Sequence, residues 1–365
     1  PFYAESGGQA GDHGEIVFEG GARFIVRDVQ KRAGDLHVHV GELVSGEIRL
    51  GDSADQHVDA GRRRAIMANH SATHIMHAAL RKVLGEHVTQ KGSLVEADRF
   101  RFDFSHNGPM SQAEIEAVED EVNAQIRANM PTGIQVTSPD KAIEAGALAL
   151  FGEKYGDEVR VLSMGTGDGR RYSVELCGGT HVERAGDIGV FVITSESGVS
   201  AGVRRVEAAT GAEALAYLKG RAQIAADLAD SLKVPLKDVP RRVAALGEER
   251  KALEKELAEA KRKLAMGGGG AAASGPEEIN GVKLMARVAE GVGGKELRTL
   301  VDEAKAQIGS GIVAFVGVAD GKAGVAVGVT KDLTDKFSAV DLVKAASEAV
   351  GGKGGGGRPD MAMAG

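Results

Sequence analysis

The sequence predicts an α+β fold: a β-rich amino-terminal subdomain, a mixed α+β core, a helical hairpin and a small C-terminal α/β domain. Three observations carry this. Up to about residue 208, short alternating strands and helical stretches follow one another irregularly, which is the pattern of an α+β domain. Between 212 and 265 apolar residues recur every three or four positions, the period of a helix buried along one stripe. The tract "GGGGAAASG" (267–275) then reads as a flexible linker, so residues 276–365 are expected to form a separate domain.

Taken in order, "EIVFEGGARFIVRDV" alternates around Gly20-Gly21 and "DLHVHVGEL" comes after an Ala33-Gly34-Asp35 turn, giving a β-meander over 14–50. "RRRAIMANHSATHIMHAALRKVL" (62–84) is helical, with Ile66, Ile75, Ala79 and Leu80 among its apolar positions. "RFRFDF", "GIQVT", "EVRVLSM", "RRYSVEL", "GVFVITSE" and "GVRRVEA" read as strands, mixed with helices near 111–128 and 140–149. Leu215, Leu218, Ala222, Ala225, Ala229 and Leu232 form one helical stripe; Val243, Leu246, Leu253, Leu257, Ala260 and Leu264 form a second. The two prolines of "KVPLKDVP" separate them, so the pair is expected to fold back as an antiparallel coiled coil. Beyond the linker, "SGIVAFVGVADGKAGVAVGVT" gives two buried strands around Asp320-Gly321, with a helix at 338–350 and the glycine tract 351–359 after them. The expected divisions are 1–60, 61–208, 209–266, 267–275 and 276–365.

With 365 residues, 42% apolar and 27% charged, the chain can build two or three cored domains. It lacks an apolar run of the ~20 residues that span a bilayer, and no secretory leader opens it. One cysteine cannot form an internal disulfide, so a cytoplasmic setting without membrane contact is expected. The first residue is Pro1 and the last five are "MAMAG", the ends expected of a portion of something longer. The net charge of −7 divides as −9 over 1–208, +3 over 209–275 and −1 over 276–365. Nucleic-acid binding would therefore rest on local patches such as Arg62-Arg63-Arg64.

The chemistry concentrates in two short motifs. In "HSATH", His70 and His74 stand at i and i+4, so both rings leave one helical face. In "CGGTH", Cys177 and His181 flank a tight glycine turn. Together they form a His₃Cys set, sufficient for tetrahedral zinc. Taken singly, a helical histidine or lone cysteine is usually an ordinary buried side chain, and His77 is expected to be one. A zinc peptidase helix would carry Glu after its first histidine, where Ser71 stands. Gly-Lys is never followed by Ser or Thr, so no phosphate-binding P-loop is present.

"PFYAESGGQAGDHG", "NHSATHIMHAALRKVLGEHVTQKGS", "ELCGGTHVERAGDIG" and "GVRRVEAATG" resemble the editing domain of alanyl-tRNA synthetases. "GSGIVAFVGVADGKAGVAVGVTKDL" with "GGKGGGGRPDMAMAG" resembles the C-terminal domain of the same enzymes. The resemblance implies that His70, His74, Cys177 and His181 hold one zinc per chain. It implies catalytic roles for Gln90 and Arg204, with Gly7, Gly8, Gln9, Lys91, Gly178, Gly179 and Thr180 at the substrate. The implied activity is aminoacyl-tRNA deacylation, hydrolysing Ser-tRNA(Ala) and Gly-tRNA(Ala). Shape alone separates such small amino acids from alanine by only ~1–3 kcal/mol, so a second, hydrolytic site is needed.

No segment resembles the aminoacylation domain, which alone would use ATP and magnesium; the longer parent would be an alanine–tRNA ligase. The region 276–365 is then a truncated tRNA-binding-like domain, and a homodimer through the hairpin or this domain is a further expectation. Two other readings stand beside this one: a free-standing trans-editing deacylase, and a non-catalytic RNA-binding module with structural zinc.

Overall fold

The turn at Gly20-Gly21 joins β1 (Gly14–Phe18) to β2 (Arg23–Arg32), which pairs with β3 (Leu36–Ser45). A further strand, β4 (Ala54–Val58), returns to the free edge of β1, so the antiparallel order is β3-β2-β1-β4. Ile16, Val26 and Val29 supply its buried side, against Phe2 and Ala4. The computed structural model describes residues 1–34, 36–144, 146–148, 157–166, 171–264, 275–319 and 321–365. The expected linker 267–275 lies outside them except for Gly275, as does Asp320. The chain divides into two compact units, Pro1–Asp227 and Leu228–Gly365.

In the first unit α1 (Ala60–Leu84) starts at Asp59, whose carboxylate accepts from the Arg62 amide at 2.9 Å. Two of the three consecutive arginines are spent inside the protein. Arg62 donates to the Gly11 carbonyl and Arg63 to the Asp12 carboxylate. Every residue from Ala68 to His77 is buried. The reason is that α1 is covered all round. On its sides lie a four-stranded sheet, made of β5 (Gln90–Val95), β6 (Phe100–Ser105), β10 (Phe191–Ser200) and β11 (Val203–Thr210) in the order β10-β11-β6-β5, and α2 (Gln112–Ala128). Phe100, Phe102 and Phe104 fill the core between them, each contributing ~1.5–3 kcal/mol of transfer free energy.

Ser111 caps α2 in a reciprocal box with Glu114. A third sheet is built from β7 (Gly133–Thr137), β8 (Val159–Met164) and β9 (Ser173–Leu176), in the order β7-β8-β9. Between β7 and β8 runs a short helix, α3 (Pro139–Glu144), which ends sooner than the expected 140–149.

The two long helices appear as α4 (Gly211–Leu232) and α5 (Val239–Lys263). Their apolar stripes are largely exposed, including Leu215, Leu218, Leu228, Val243, Leu246, Leu253 and Leu257. The unit boundary falls inside α4, at Asp227/Leu228. Beyond α5 lie β12 (Glu277–Ile279), β13 (Val282–Glu290), α6 (Gly294–Ile308), β14 (Ile312–Ala319), β15 (Lys322–Val329), α7 (Ala339–Ala349), β16 (Gly356–Arg358) and β17 (Met361–Ala364). They make a six-stranded sheet, β12-β13-β14-β15-β17-β16, whose β13–β14 pair is parallel across α6. Separate apolar clusters join it to α6 and to α7, as in an α/β layer fold. No helix among the described residues is long and apolar enough to cross a membrane.

Candidate metal centre

Three stretches far apart in the chain meet at the middle of α1. His70 and His74 come from successive turns, with ring centroids 5.2 Å apart. Strand β9 ends at Leu176, and the Cys177-Gly178-Gly179 turn then carries Cys177 and His181 against them. Cys177 Sγ lies 3.4 Å from His70 Nε2 and 3.2 Å from His181 Nε2. One donor atom from each of the four residues lies within 4.8 Å of every other. A tetrahedral zinc with N and S ligands separates its donors by roughly 3.3–3.8 Å, so the cluster fits with small side-chain adjustments.

The outer contacts fit the same metal. His70 Nδ1 meets Gln9 Oε1 at 2.7 Å, His74 Nδ1 meets Glu175 Oε2 at 2.6 Å, and His181 Nδ1 meets Ser71 Oγ at 3.2 Å. With each Nδ1 occupied, every ring offers Nε2 inward, the arrangement second-shell partners impose on ligating histidines. His74 Nε2 is buried without a partner, a costly state unless an ion accepts its lone pair. Residues and metal are compatible.

Glu175 binds two histidines, its other oxygen lying 2.8 Å from His77 Nδ1. Burial by itself would raise its pKa, but His74 and His77 outweigh this and hold the carboxyl well below the usual carboxylate range. Burial likewise opposes charge on Cys177, yet His74 and the bonds from His181 and His70 push the thiol far below its ordinary value. For His74 burial is again the largest influence and lowers its pKa; the Glu175 and Cys177 anions reverse it, raising the imidazolium to about 10. Burial dominates at His181, which falls to about 3. Without metal, the cluster therefore stores its proton on His74.

Gln9 is fully buried. Its Oε1 also accepts from the Thr180 amide at 2.9 Å, and its Nε2 donates to Thr180 Oγ1 at 2.9 Å. Expected at the substrate, its amide is instead held by the 177–181 turn and His70. The turn before it has positive φ at Gly7 and Gly8, and a Cβ at Gly8 would meet the Ser93 carbonyl at 2.5 Å. Glycine is therefore required where this loop docks on β5. At Gly179 the constraint is space, because an added Cβ would overlap the His70 ring.

Beside the cluster opens a polar cavity of about 620 Å³, lined by His70, His74 and Cys177. Of the residues expected at the substrate, Gly7, Gln90, Gly178 and Gly179 line it. Gly8, Gln9, Lys91 and Thr180 do not, and Lys91 is exposed on β5. Arg204 is also absent from the wall: its guanidinium is bidentate to Glu196 at 2.5 and 2.6 Å. Arg205, on the next position of β11, is bidentate to Asp103 at 2.7 and 2.8 Å.

Tyr3, Lys31, Thr73, Glu158 and Arg160 also line the cavity, and sequence reasoning singled out none of them. Burial, reinforced by Cys177, pushes the Tyr3 phenol up to about 12, so it stays a neutral donor. Glu175 was missed too, although a carboxylate two residues before the cysteine, with His77 at i+3 from His74, is a readable signal.

Comparison with known proteins gives three family matches. Residues 1–62 match the model of tRNA synthetases class II (A), 159–207 the threonyl and alanyl tRNA synthetase second additional domain, and 281–365 the DHHA1 domain. The whole chain is 79% identical to 42% of the alanine–tRNA ligase of Hyphomonas neptunium. It is 56% identical to that of Parvibaculum lavamentivorans and 58% to that of a Caulobacter species, again over 42% of their length. The chain thus spans less than half of these relatives. A quarter of it aligns with 81% of the C-Ala domain of Aquifex aeolicus alanyl-tRNA synthetase, at 28% identity and a TM-score of 0.24.

Proposed function

The chain belongs to the alanyl-tRNA synthetase family, and on that premise we propose that it is the editing portion of an alanine–tRNA ligase, hydrolysing the ester of mischarged Ser-tRNA(Ala) and Gly-tRNA(Ala). The observation that carries the reading is the His₃Cys cluster opening onto a polar cavity with Gln90 on its wall. A cavity of about 620 Å³ is in the range that takes a small ligand, here the aminoacylated terminal adenosine. The longer protein would attach alanine to tRNA(Ala) with ATP, and the C-terminal α/β domain would help hold the tRNA. This reading is preferred to a free-standing deacylase because the match to alanine–tRNA ligases runs the whole length of the chain.

A zinc ion bound here would supply positive charge beside the ester carbonyl. Everything else falls to the chain's own groups. Gln90 offers an amide with donors and an acceptor, able to hold a water or read the serine hydroxyl. Tyr3 gives its one O–H to the Ser6 carbonyl at 3.0 Å, leaving the phenol oxygen as an acceptor on the cavity wall. Gln9, Glu175 and Ser71 hold the ligating rings still, so that no reorganisation is needed when substrate arrives. Arg204, locked to Glu196, acts through the sheet rather than by touching substrate. A water attacks the ester, its proton leaves with the ribose hydroxyl, and no covalent enzyme intermediate forms.

The test is deacylation of Ser-, Gly- and Ala-tRNA(Ala) by this chain, with zinc quantified in the same preparation. Loss of serine and glycine but not alanine, at about one zinc per chain, is expected. Cys177→Ala should abolish both zinc and hydrolysis. Stoichiometric zinc without any hydrolysis would point to a structural metal in an RNA-binding module.

A further inference from the structure

The strongest unabsorbed feature is a cation in the cavity wall. Arg160 sits on β8, half-buried, and one Nη donates to the Gly179 carbonyl. Its own carbonyl accepts from the Cys177 amide at 3.0 Å. Part-buried arginines of this unit that face a carboxylate are Arg63 with Asp12, Arg204 with Glu196, and Arg101 and Arg205 with Asp103. Among the described residues no carboxylate pairs with Arg160, although Glu158 lines the same wall. A half-buried guanidinium facing a cavity, with no carboxylate on it, is suited to receive an anion, and its planar fork matches phosphate. Lys31 adds a second cation to the lining.

Resting on the editing reading above, we infer that Arg160 is an anion subsite, receiving the phosphate of the terminal nucleotide of the acyl-tRNA. The amino acid's own carboxyl is tied up in the ester, so the phosphodiester is the negative charge the substrate brings. The bond to Gly179 fixes the guanidinium at the turn that carries Cys177. Phosphate capture thereby sets the height at which the ester meets the metal site.

The experiment compares binding of AMP and adenosine to the zinc-loaded chain by calorimetry, alongside deacylation of Ser-tRNA(Ala) and of phosphate-free seryl-adenosine. Wild type should bind AMP about tenfold more tightly than adenosine, as a charge-assisted bond supplies. Arg160→Ala should erase that preference and raise KM for Ser-tRNA(Ala) about tenfold with kcat and zinc content little changed. Seryl-adenosine hydrolysis should not change, and Arg160→Lys should restore part of the AMP preference. Equal binding of AMP and adenosine by wild type, or equal losses on both esters in Arg160→Ala, would overturn the subsite. An intact AMP preference in a chain that hydrolyses neither ester would leave the subsite standing and remove the editing function instead.

Discussion

Glu175 shows what a single buried carboxylate can organise. It accepts from His74 and His77 through separate oxygens, so a side chain with only one acceptor cannot replace it. Glu175→Gln keeps the shape but turns an amide N–H toward one ring, and should weaken zinc retention by roughly 10–100-fold, read by competition with a chromophoric chelator. Its charge matters as well. A zinc held by one thiolate and three neutral imidazoles would keep about +1, and the Glu175 carboxylate behind His74 would offset part of it. The pH dependence of metal uptake is set by His74. Its imidazolium, at about 10, must lose its proton to bind, whereas Cys177 is already a thiolate. Uptake near neutral pH should therefore release about one proton, and apparent affinity should fall up to ~tenfold per unit as pH drops; calorimetry in buffers of different ionisation enthalpy measures both. The four clustered side chains were legible as two pairs because each pair's spacing is local, i and i+4. The task of Gln9 was not, since it depends on a partner 171 positions away.

At the level of elements, α1 is unusual in burying Asn69, His70, Ser71, Thr73, His74 and His77 together. Each side chain has a partner: Asn69 Nδ2 donates to the Glu96 carbonyl, its Oδ1 accepts from Thr210, and Thr73 bonds back to the Asn69 carbonyl. The sequence shows the helix but not its enclosure, because a polar residue in a buried helix reads like one on a wet face until its partner is known. Helix α2 was placed within a residue, since Ser111 and Glu114 form a reciprocal cap. Ser111→Ala should cost about 1 kcal/mol, seen as a lower midpoint in chemical denaturation. By contrast β13 and α6 drew no assignment. The strand exposes Lys283, Ala286, Val288 and Glu290, with Lys283 and Arg287 interrupting its apolar run, and the helix starts from Gly293 without a side-chain cap. The stripes of α4 and α5 were read as helical correctly, but their exposure is a property of packing that periodicity does not carry.

For the whole molecule, the metal centre belongs to Pro1–Asp227 and the six-stranded sheet to Leu228–Gly365. Stripping zinc should therefore be felt unevenly. Hydrogen exchange after chelation should show lost protection in α1 and β9, which hold the ligands or their partners, while amides of β13, β14 and β15 keep theirs. Uniform loss across both regions would contradict this assignment. The glycine tract 267–275 led to the expectation of a separate domain from residue 276, whereas the two compact units meet inside α4 at Asp227/Leu228, where the sequence carries no mark.

The contact between Gln9 and the Thr180 loop has a consequence for biosynthesis. The first and last participants in the site are translated almost half a chain apart, and His70 and His74 emerge from the ribosome long before Cys177. Until residue 181 is made, α1 carries a pair of histidines without Cys177 and His181 beside them, and Ser71, His74 and His77 lack the partners they find at Glu175 and His181. Metal capture thus cannot run ahead of folding. A nascent chain that stalls early would offer a metal only a two-histidine grip, and tight retention would require synthesis through His181.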